Sequence, residues 1–360
     1  MVKFRSLKPL LKPLPLCSTA PLRQSENHET FDVAAERQRG RGAECRRGLG
    51  ISSRLSLVIF WTALVSTATA QERFDFESIQ MATRFRISMH AESREKAETA
   101  AAAAFARVAA LTAIFSDYEP ESELSKLNRT PLGQPFKASK ELYDIITRSM
   151  VISRLTDGAF DITCGNLTRL WRRTRDQKKL PPPERLATAI AATDWQAVKI
   201  DPSLKTITLS RPGMLIDLGG IAKGYAADEA LRILREQHHI TRALVIAGGD
   251  IAIGDAPPDK AGWEIKLKST ATAESTHTLH NTAVSTSGDL HQSTEIGGTR
   301  YSHIIDPKTG LGLTTPASCS VLAPDCTTSD ALATAMCVMG KKRAQQTALH
   351  VPGITLIWPE

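Results

Sequence analysis

Residues Leu215 to Ala230 read LIDLGGIAKGYAADEA. An apolar run carries one carboxylate, Asp217, breaks at Gly219-Gly220 and resumes as an alanine-rich segment with Lys223 in its first turn. The pattern predicts a strand, a diglycine bend and a helix reaching to about Gln237. Such an arrangement brings backbone N–H groups and a helix N-terminus toward an anion, and glycine removes the Cβ that would block the approach. It is neither a P-loop nor a GxGxxG turn, because both spacings are missing. From the residues alone Asp217 reads either as a cap or hydrogen-bonded strand-end acid, or as part of a ligand site. Lys223 reads either as a solvated cation or as the counter-charge of an anionic ligand.

Around this centre the periodicities alternate between strand and helix. ESIQMATRFRISMHAE (77–92) predicts a strand, and SREKAETAAAAAFARVAALTAIFSDY (93–118) a long amphipathic helix. SKELYDIITRSMVISRLTDG predicts a second helix with Ser139 as N-cap and Gly158 as stop. The basic, proline-rich RRTRDQKKLPPPERL (172–186) reads as a loop leading into a short helix, and AVKIDPSLKTITLS (197–210) as a hairpin around Asp201-Pro202-Ser203. Further strands are expected in RALVIAGGDIAIGD, GWEIKLKST, YSHIIDPKTG, SCSVLAP and GITLIWPE, with SDALATAMCVMG as a helix closing at Gly340. Helices and strands mix without regular βα alternation, so the expected class is α+β, with mixed sheets and covering helices in two lobes and a ligand cleft between them.

The formal charge of +7 is concentrated at one end. The first seventy residues hold 11 Lys and Arg against 5 acids, which leaves 34 against 33 in the remainder. A nearly neutral body removes the support for nucleic-acid binding. Arg54 precedes LSLVIFWTALVSTATA, an apolar run ending in Ala68-Thr69-Ala70, the pattern of a secretory signal cleaved after Ala70. Residues 1–70 are thus expected to be a basic leader and signal peptide, with translation starting nearer Leu49, and 71–360 a single domain. The expected location is the periplasm, by general secretion in preference to a twin-arginine route through Arg46-Arg47. No cysteine follows the cleavage site, so no lipid anchor is expected. Cys164, Cys319, Cys326 and Cys337 remain in the body without CxxC spacing. They read as buried free thiols, with a Cys319–Cys326 bridge as the alternative.

Asp330 and Thr334 stand four apart in a helical pattern and project two hard oxygens from one face. Such a pair suits Mg²⁺. Taken alone, the pair reads first as a first-turn acid and a back-bonded threonine. Asp161 sits between two glycines in GAFDITCGNL, His303 in the apolar YSHIIDP, and Asp250 and Asp289 follow glycines in IAGGD and STSGD. Each reads alone as an ordinary turn or core residue. Their recurrence suggests several loops converging on a polar, extended ligand.

In this order the segments resemble the ApbE family, the FAD:protein FMN transferases. The match runs from Met81-Ala82-Thr83 through SDYEPESELSKLN, GAFDITCGNLTRLW, DLGGIAKGYAAD, IAGGD, STSGD, YSHIIDPKTG and SDALATAMCVMG. The resemblance implies FAD contacts from Met81, Tyr118, Ala159, Phe160, Asp161, Asp217, Lys223 and Ile304. It implies Mg²⁺ ligation by Asp330, Thr334 and the carbonyl of Gly220, with His303 and Asp330 as catalytic groups. The implied reaction moves FMN from FAD to a Ser or Thr hydroxyl and releases AMP. The implied acceptor is a flavoprotein of an exported or membrane electron-transfer complex, and membrane contact is expected only through it. The alternatives are a Mg²⁺-dependent FAD pyrophosphatase giving FMN and AMP, and a non-catalytic FAD carrier. Ala82 stands where many relatives have Gly, and Ala333 where some carry an acid.

Overall fold

The structure is a computed structural model, and it describes residues 71–268, 274–289 and 292–358. The leader and its signal reading lie outside these residues. The chain folds around a seven-stranded sheet of β1 (Glu72–Gln80), β2 (Thr83–Ala91), β6 (Ala243–Ala247), β7 (Asp250–Ile253), β10 (Thr282–Gly288), β13 (Ser318–Ala323) and β14 (Thr355–Ile357), in that spatial order. Every neighbouring pair is antiparallel. Three helices pack on one another and on one face of the sheet: α1 (Arg94–Phe115), α6 (Ala222–His238) and α7 (Cys326–Ala348).

The sheet is buried on both faces, and its strands show why. Along β6 and β7, Val245, Ala247 and Ala252 join the main core, while Leu244, Ile251 and Ile253 join a second cluster with Trp263, Ile265 and Leu267. Those last three belong to β8 (Trp263–Lys268), which pairs with β9 (Glu274–Leu279). A strand covered on both sides loses its apolar–polar alternation, which is why ALVIA is continuous. Edge strand β1, by contrast, alternates and keeps its outer residues exposed. The helical and small-sheet remainder comprises α2 (Glu123–Arg129), α3 (Lys140–Leu155), α4 (Gly165–Gln177), α5 (Pro183–Ala191), the sheet β3 (Pro135–Lys137)–β5 (Thr206–Leu209)–β4 (Val198–Asp201), and the hairpin β11 (Ser293–Ile296)–β12 (Thr299–Ser302). The class is α+β, as the sequence predicts.

Four local expectations are corrected. ESIQMATRFRISMHAE is two strands, turning at Met81 (φ 48°) and Ala82 (φ 58°), a two-residue hairpin turn made without the usual Asn or Gly. The LIDLGG run is not a ladder strand: Leu215 makes one parallel bridge to Cys164, and the Asp217 N–H then donates to the Ile162 carbonyl. Arg172–Gln177 belong to helix α4 rather than to a loop, since Leu167, Trp171 and Thr174 bury one helical stripe. His303 lies just beyond β12, outside the strand. The turn at Asp201–Ser203 and the break at Gly340 occur as expected, the latter with φ 74° and ψ 162° before helical turns resume. The four cysteines are free thiols, and Cys319 faces Cys337, at 3.6 Å between sulfurs, rather than Cys326.

Candidate active site

The glycine turns of the sequence gather at one end of the large sheet. The registers Phe85↔Ala247, Ala247↔Asp250, Asp250↔Ser285 and Gly288↔Ser318 place the Met81–Ala82 turn, the Gly248–Gly249 turn and the ends of β10 and β13 side by side. Gly248 has φ 65°, and a Cβ there would stand 3.1 Å from Thr83 Oγ1. Asp250 emerges from this rim, buried to 2 % exposure.

Helices α6 and α7 cross beside it, and a small residue sets how closely. A Cβ at Gly224 would strike the carbonyl of Cys326 and come within 2.8 Å of the Asp330 Cβ. With that Cβ absent, the Gly224 N–H donates to Asp330 Oδ2 at 3.0 Å. No side chain of its own caps α6, so the Asp330 carboxylate takes up one of its first-turn N–H groups. The Lys223 ammonium donates to Asp250 Oδ2 at 2.6 Å and sits 3.3 and 3.4 Å from the two Asp330 oxygens. Both acids are buried, whereas Lys223 keeps 32 % of its side chain exposed. Burial, and then the Asp250 charge, push the Asp330 carboxyl well above the usual range. For Lys223 the burial penalty is outweighed by Asp250 and Asp330, which hold it firmly protonated.

The diglycine bend closes the next turn of the same crossing. A Cβ at Gly220 would lie 3.3 Å from the Phe160 ring and 3.6 Å from Thr334 Oγ1, one helical turn beyond Asp330. Thr334 Oγ1 is also 3.2 Å from Ser287 Oγ of the STSGD segment. Asp217 accepts from the Gly219 N–H at 2.7 Å and from Arg172 at 3.3 Å, so it shapes the bend; burial, then nearby Asp117, raise its carboxyl. Asp161 also shapes its own loop, with Oδ1 on the Thr163 N–H and hydroxyl and Oδ2 on the Trp195 N–H. Ala159, Phe160 and Ile304 are buried, and Met81 is half-buried against the core. Tyr118 is 71 % exposed, with the Arg172 guanidinium 4.3 Å from its ring centre. His303 is half-buried, and its Nδ1 is 3.1 Å from the Gln292 carbonyl. Burial lowers its pKa against the opposing pull of the Gln292 carbonyl and the Asp289 charge, and the charges of Arg175 and Lys223 add to the fall.

The structure thus brings Gly220 against Thr334 and Lys223 against Asp330 at one helix crossing, with His303 within reach of the Lys223 charge. Three residues of this region escape the sequence reading. Asp250 is visible only as a turn acid, yet it is the shortest partner of Lys223. Arg172 is hidden in a basic run, yet it links Tyr118, Asp217 and Asp117, the last at 2.5 Å. Asp228, in YAADEA, accepts from the Cys326 and Thr327 N–H groups at 2.8 Å each and from the Thr327 hydroxyl, docking the start of α7 onto α6. Burial pushes its carboxyl up to about 6.

For a metal, the donor set decides. Among the described residues no three His, Cys, Asp or Glu side chains gather at one point. The Asp330 carboxylate and the Thr334 hydroxyl, with the Gly220 backbone beside the hydroxyl, offer hard oxygens of the kind Mg²⁺ accepts when a substrate completes its shell. The residues present fit such an ion.

Fold and site together define an α+β protein that gathers glycine turns, buried carboxylates and one lysine where two helices cross at a sheet end. The model of the ApbE family matches residues 81–358, and the chain belongs to that family. It is similar to the FAD:protein FMN transferase of Haemophilus influenzae, 31 % identical over 249 residues that cover 66 % of this chain and 72 % of that protein. It is also similar to that of Klebsiella pneumoniae, 30 % identical over 275 residues covering 74 % and 78 %. Among solved structures it superposes on the ApbE protein of Thermotoga maritima with TM-score 0.70 and 32 % identity, covering 79 % and 93 % of the two chains. The flavin transferase ApbE of Vibrio cholerae gives TM-score 0.72 and 28 % identity, with 79 % and 93 % covered.

Proposed function

We propose that this protein transfers the FMN half of FAD to a Ser or Thr hydroxyl of a protein acceptor and releases AMP, with Mg²⁺ as its metal. The observation that carries the reading is the meeting of the α6 bend with the α7 face, where Gly220 lies against Thr334 and both Lys223 and the Gly224 N–H engage Asp330. The relatives named FAD:protein FMN transferase support the choice of substrate.

Asp330, Thr334 and the Gly220 carbonyl would hold the cation, which when bound draws charge from the pyrophosphate and eases departure of the AMP oxygen. Lys223, tethered by Asp250 and partly exposed, brings a fixed positive charge to a dianionic substrate. Tyr118, braced by Arg172, offers a flat exposed face for a flavin or adenine ring. Met81, Ala159, Phe160, Asp161, Asp217 and Ile304 line or shape the rest of the FAD site. His303 supplies the base. The Gln292 carbonyl can only accept, so the Nδ1 facing it carries the proton and Nε2 keeps its lone pair. With its pKa lowered by burial, the ring is neutral near pH 7 and ready to take the acceptor hydroxyl's proton at Nε2. The acceptor is read as a flavoprotein of an exported or membrane electron-transfer complex, and the signal-like leader supports action in the periplasm.

The test incubates the protein with FAD, MgCl₂ and a candidate acceptor. The expected result is a fluorescent acceptor band heavier by FMN, with AMP released. AMP and free FMN without a labelled band would replace transfer by pyrophosphatase activity. Unchanged FAD would leave only a carrier.

A further inference from the structure

Helix α4 carries a positive face that the proposed chemistry does not use. Arg169 and Arg173 on the helix, and Lys178 and Lys179 at its end, are exposed and have no side-chain partner among the described residues, and Arg175 is exposed as well. The one acid in this stretch is Asp176. A helix does not gather such charges for its own sake. Arg169 and Arg173 stand four apart, a spacing at which like charges destabilise a helix. The last-turn charges of Arg175 and Lys178 favour the helix dipole, but Arg169 and Arg173 lie too far from the end to do so.

The stripe also has a direction. At the site end, Arg172 reaches Tyr118 and Asp217, and Trp171 donates to the Gly310 carbonyl at 2.8 Å and stacks beside Tyr301. The helix is thereby fixed to the loop that holds His303, and the Arg175 charge is felt at that histidine. From there the cations run outward to Lys178–Lys179 and the exposed Leu180. Charges so placed act over about 8 Å at physiological ionic strength, enough to orient a segment entering beside the base.

The geometry points to the exposed face of α4 as the docking surface for an acidic segment of the protein that receives the flavin. The inference rests on the transferase reading for the identity of the partner. Its test separates the two by measuring binding apart from turnover. The probes are two fluorescein-labelled synthetic peptides, each with one Thr, one flanked by Asp and Glu and the other by Asn and Gln. They are titrated into the full-length protein at low and physiological salt and followed by anisotropy. FAD affinity is read in parallel from flavin fluorescence. The variants are Arg169→Glu/Arg173→Glu and Lys178→Glu/Lys179→Glu, all at exposed positions and checked for folding by circular dichroism.

The acidic peptide is expected to bind at least about tenfold tighter than the neutral one, to weaken with salt, and to lose about tenfold in each variant while FAD affinity stays within about twofold. Equal binding of the two peptides, or no loss on charge reversal, would overturn the inference. A parallel fall in FAD affinity would reassign the stripe to the dinucleotide. If the two peptides bind equally and added phosphatidylserine vesicles bind the parent but not the variants, the stripe belongs to a membrane surface. If the acidic peptide binds as expected yet no Thr is labelled while AMP is released, the transferase reading fails and the docking surface stands.

Discussion

Lys223 answers to two masters, and that decides how the site behaves when empty or loaded. Asp250 and Asp330 are both nearly devoid of solvent, and two buried carboxylates without a counter-ion repel one another at high cost. In the free protein the Lys223 ammonium supplies that counter-charge. Lys223→Met should therefore lower stability by about 2–3 kcal/mol, less than a fully buried pair would lose because the lysine is partly exposed. Its melting temperature should recover on adding MgCl₂, which replaces the lost charge at Asp330. An unchanged melting temperature would show that Lys223 does not balance the two acids. The residues of this cluster differ in how far the sequence reveals them. Asp330 and Thr334 can be paired on paper because helical spacing links them. Asp250 cannot, because the contact with Lys223 spans the intervening helix and strand, and no local period encodes it.

At the scale of elements, the site depends on two helices crossing closely at a glycine, with buried carboxylates bridging them. Gly224 faces the Cys326 carbonyl, Asp228 receives the first N–H groups of α7, and Arg148 of α3 bonds Asp325 and Thr328 from the other side. Gly224→Ala forces a Cβ into backbone, so chemical denaturation should show a loss of about 1–3 kcal/mol or more, together with weakened FAD binding. A variant as stable as the parent, with intact FAD binding, would mean that the crossing tolerates separation. The helices themselves are legible from the sequence: α1 and α3 follow apolar repeats of three and four, with Ser93 and Ser139 as their N-caps. What is not legible is a turn whose residues lack the usual signal, as at Met81–Ala82, where positive φ is imposed by the pairing of β1 with β2. Helix α4 is masked in a similar way. Its three Arg residues at 172, 173 and 175 read as a solvated loop until Trp171 and Thr174 are seen to bury the opposite side.

Across the whole molecule, one arrangement gives the fold its purpose. An antiparallel sheet, covered on one face by α1, α6 and α7, brings its glycine turns to the end where α6 and α7 cross, so chemistry-bearing loops far apart in sequence meet on a rigid support. The α+β class follows from the mixed periodicities, but strand order does not, since continuous apolar runs such as ALVIA say only that both faces are covered. In the proposed reaction a divalent cation held by Asp330, Thr334 and the diglycine bend would drive cleavage of the FAD pyrophosphate. The most direct measurement is AMP release from FAD as a function of MgCl₂, in the parent protein and in Asp330→Ala, with FAD binding followed alongside. AMP release in the parent should saturate with Mg²⁺ and vanish with EDTA, and Asp330→Ala should lose on the order of 100-fold or more in turnover while still binding FAD. Undiminished AMP release in Asp330→Ala, or after EDTA treatment, would contradict it.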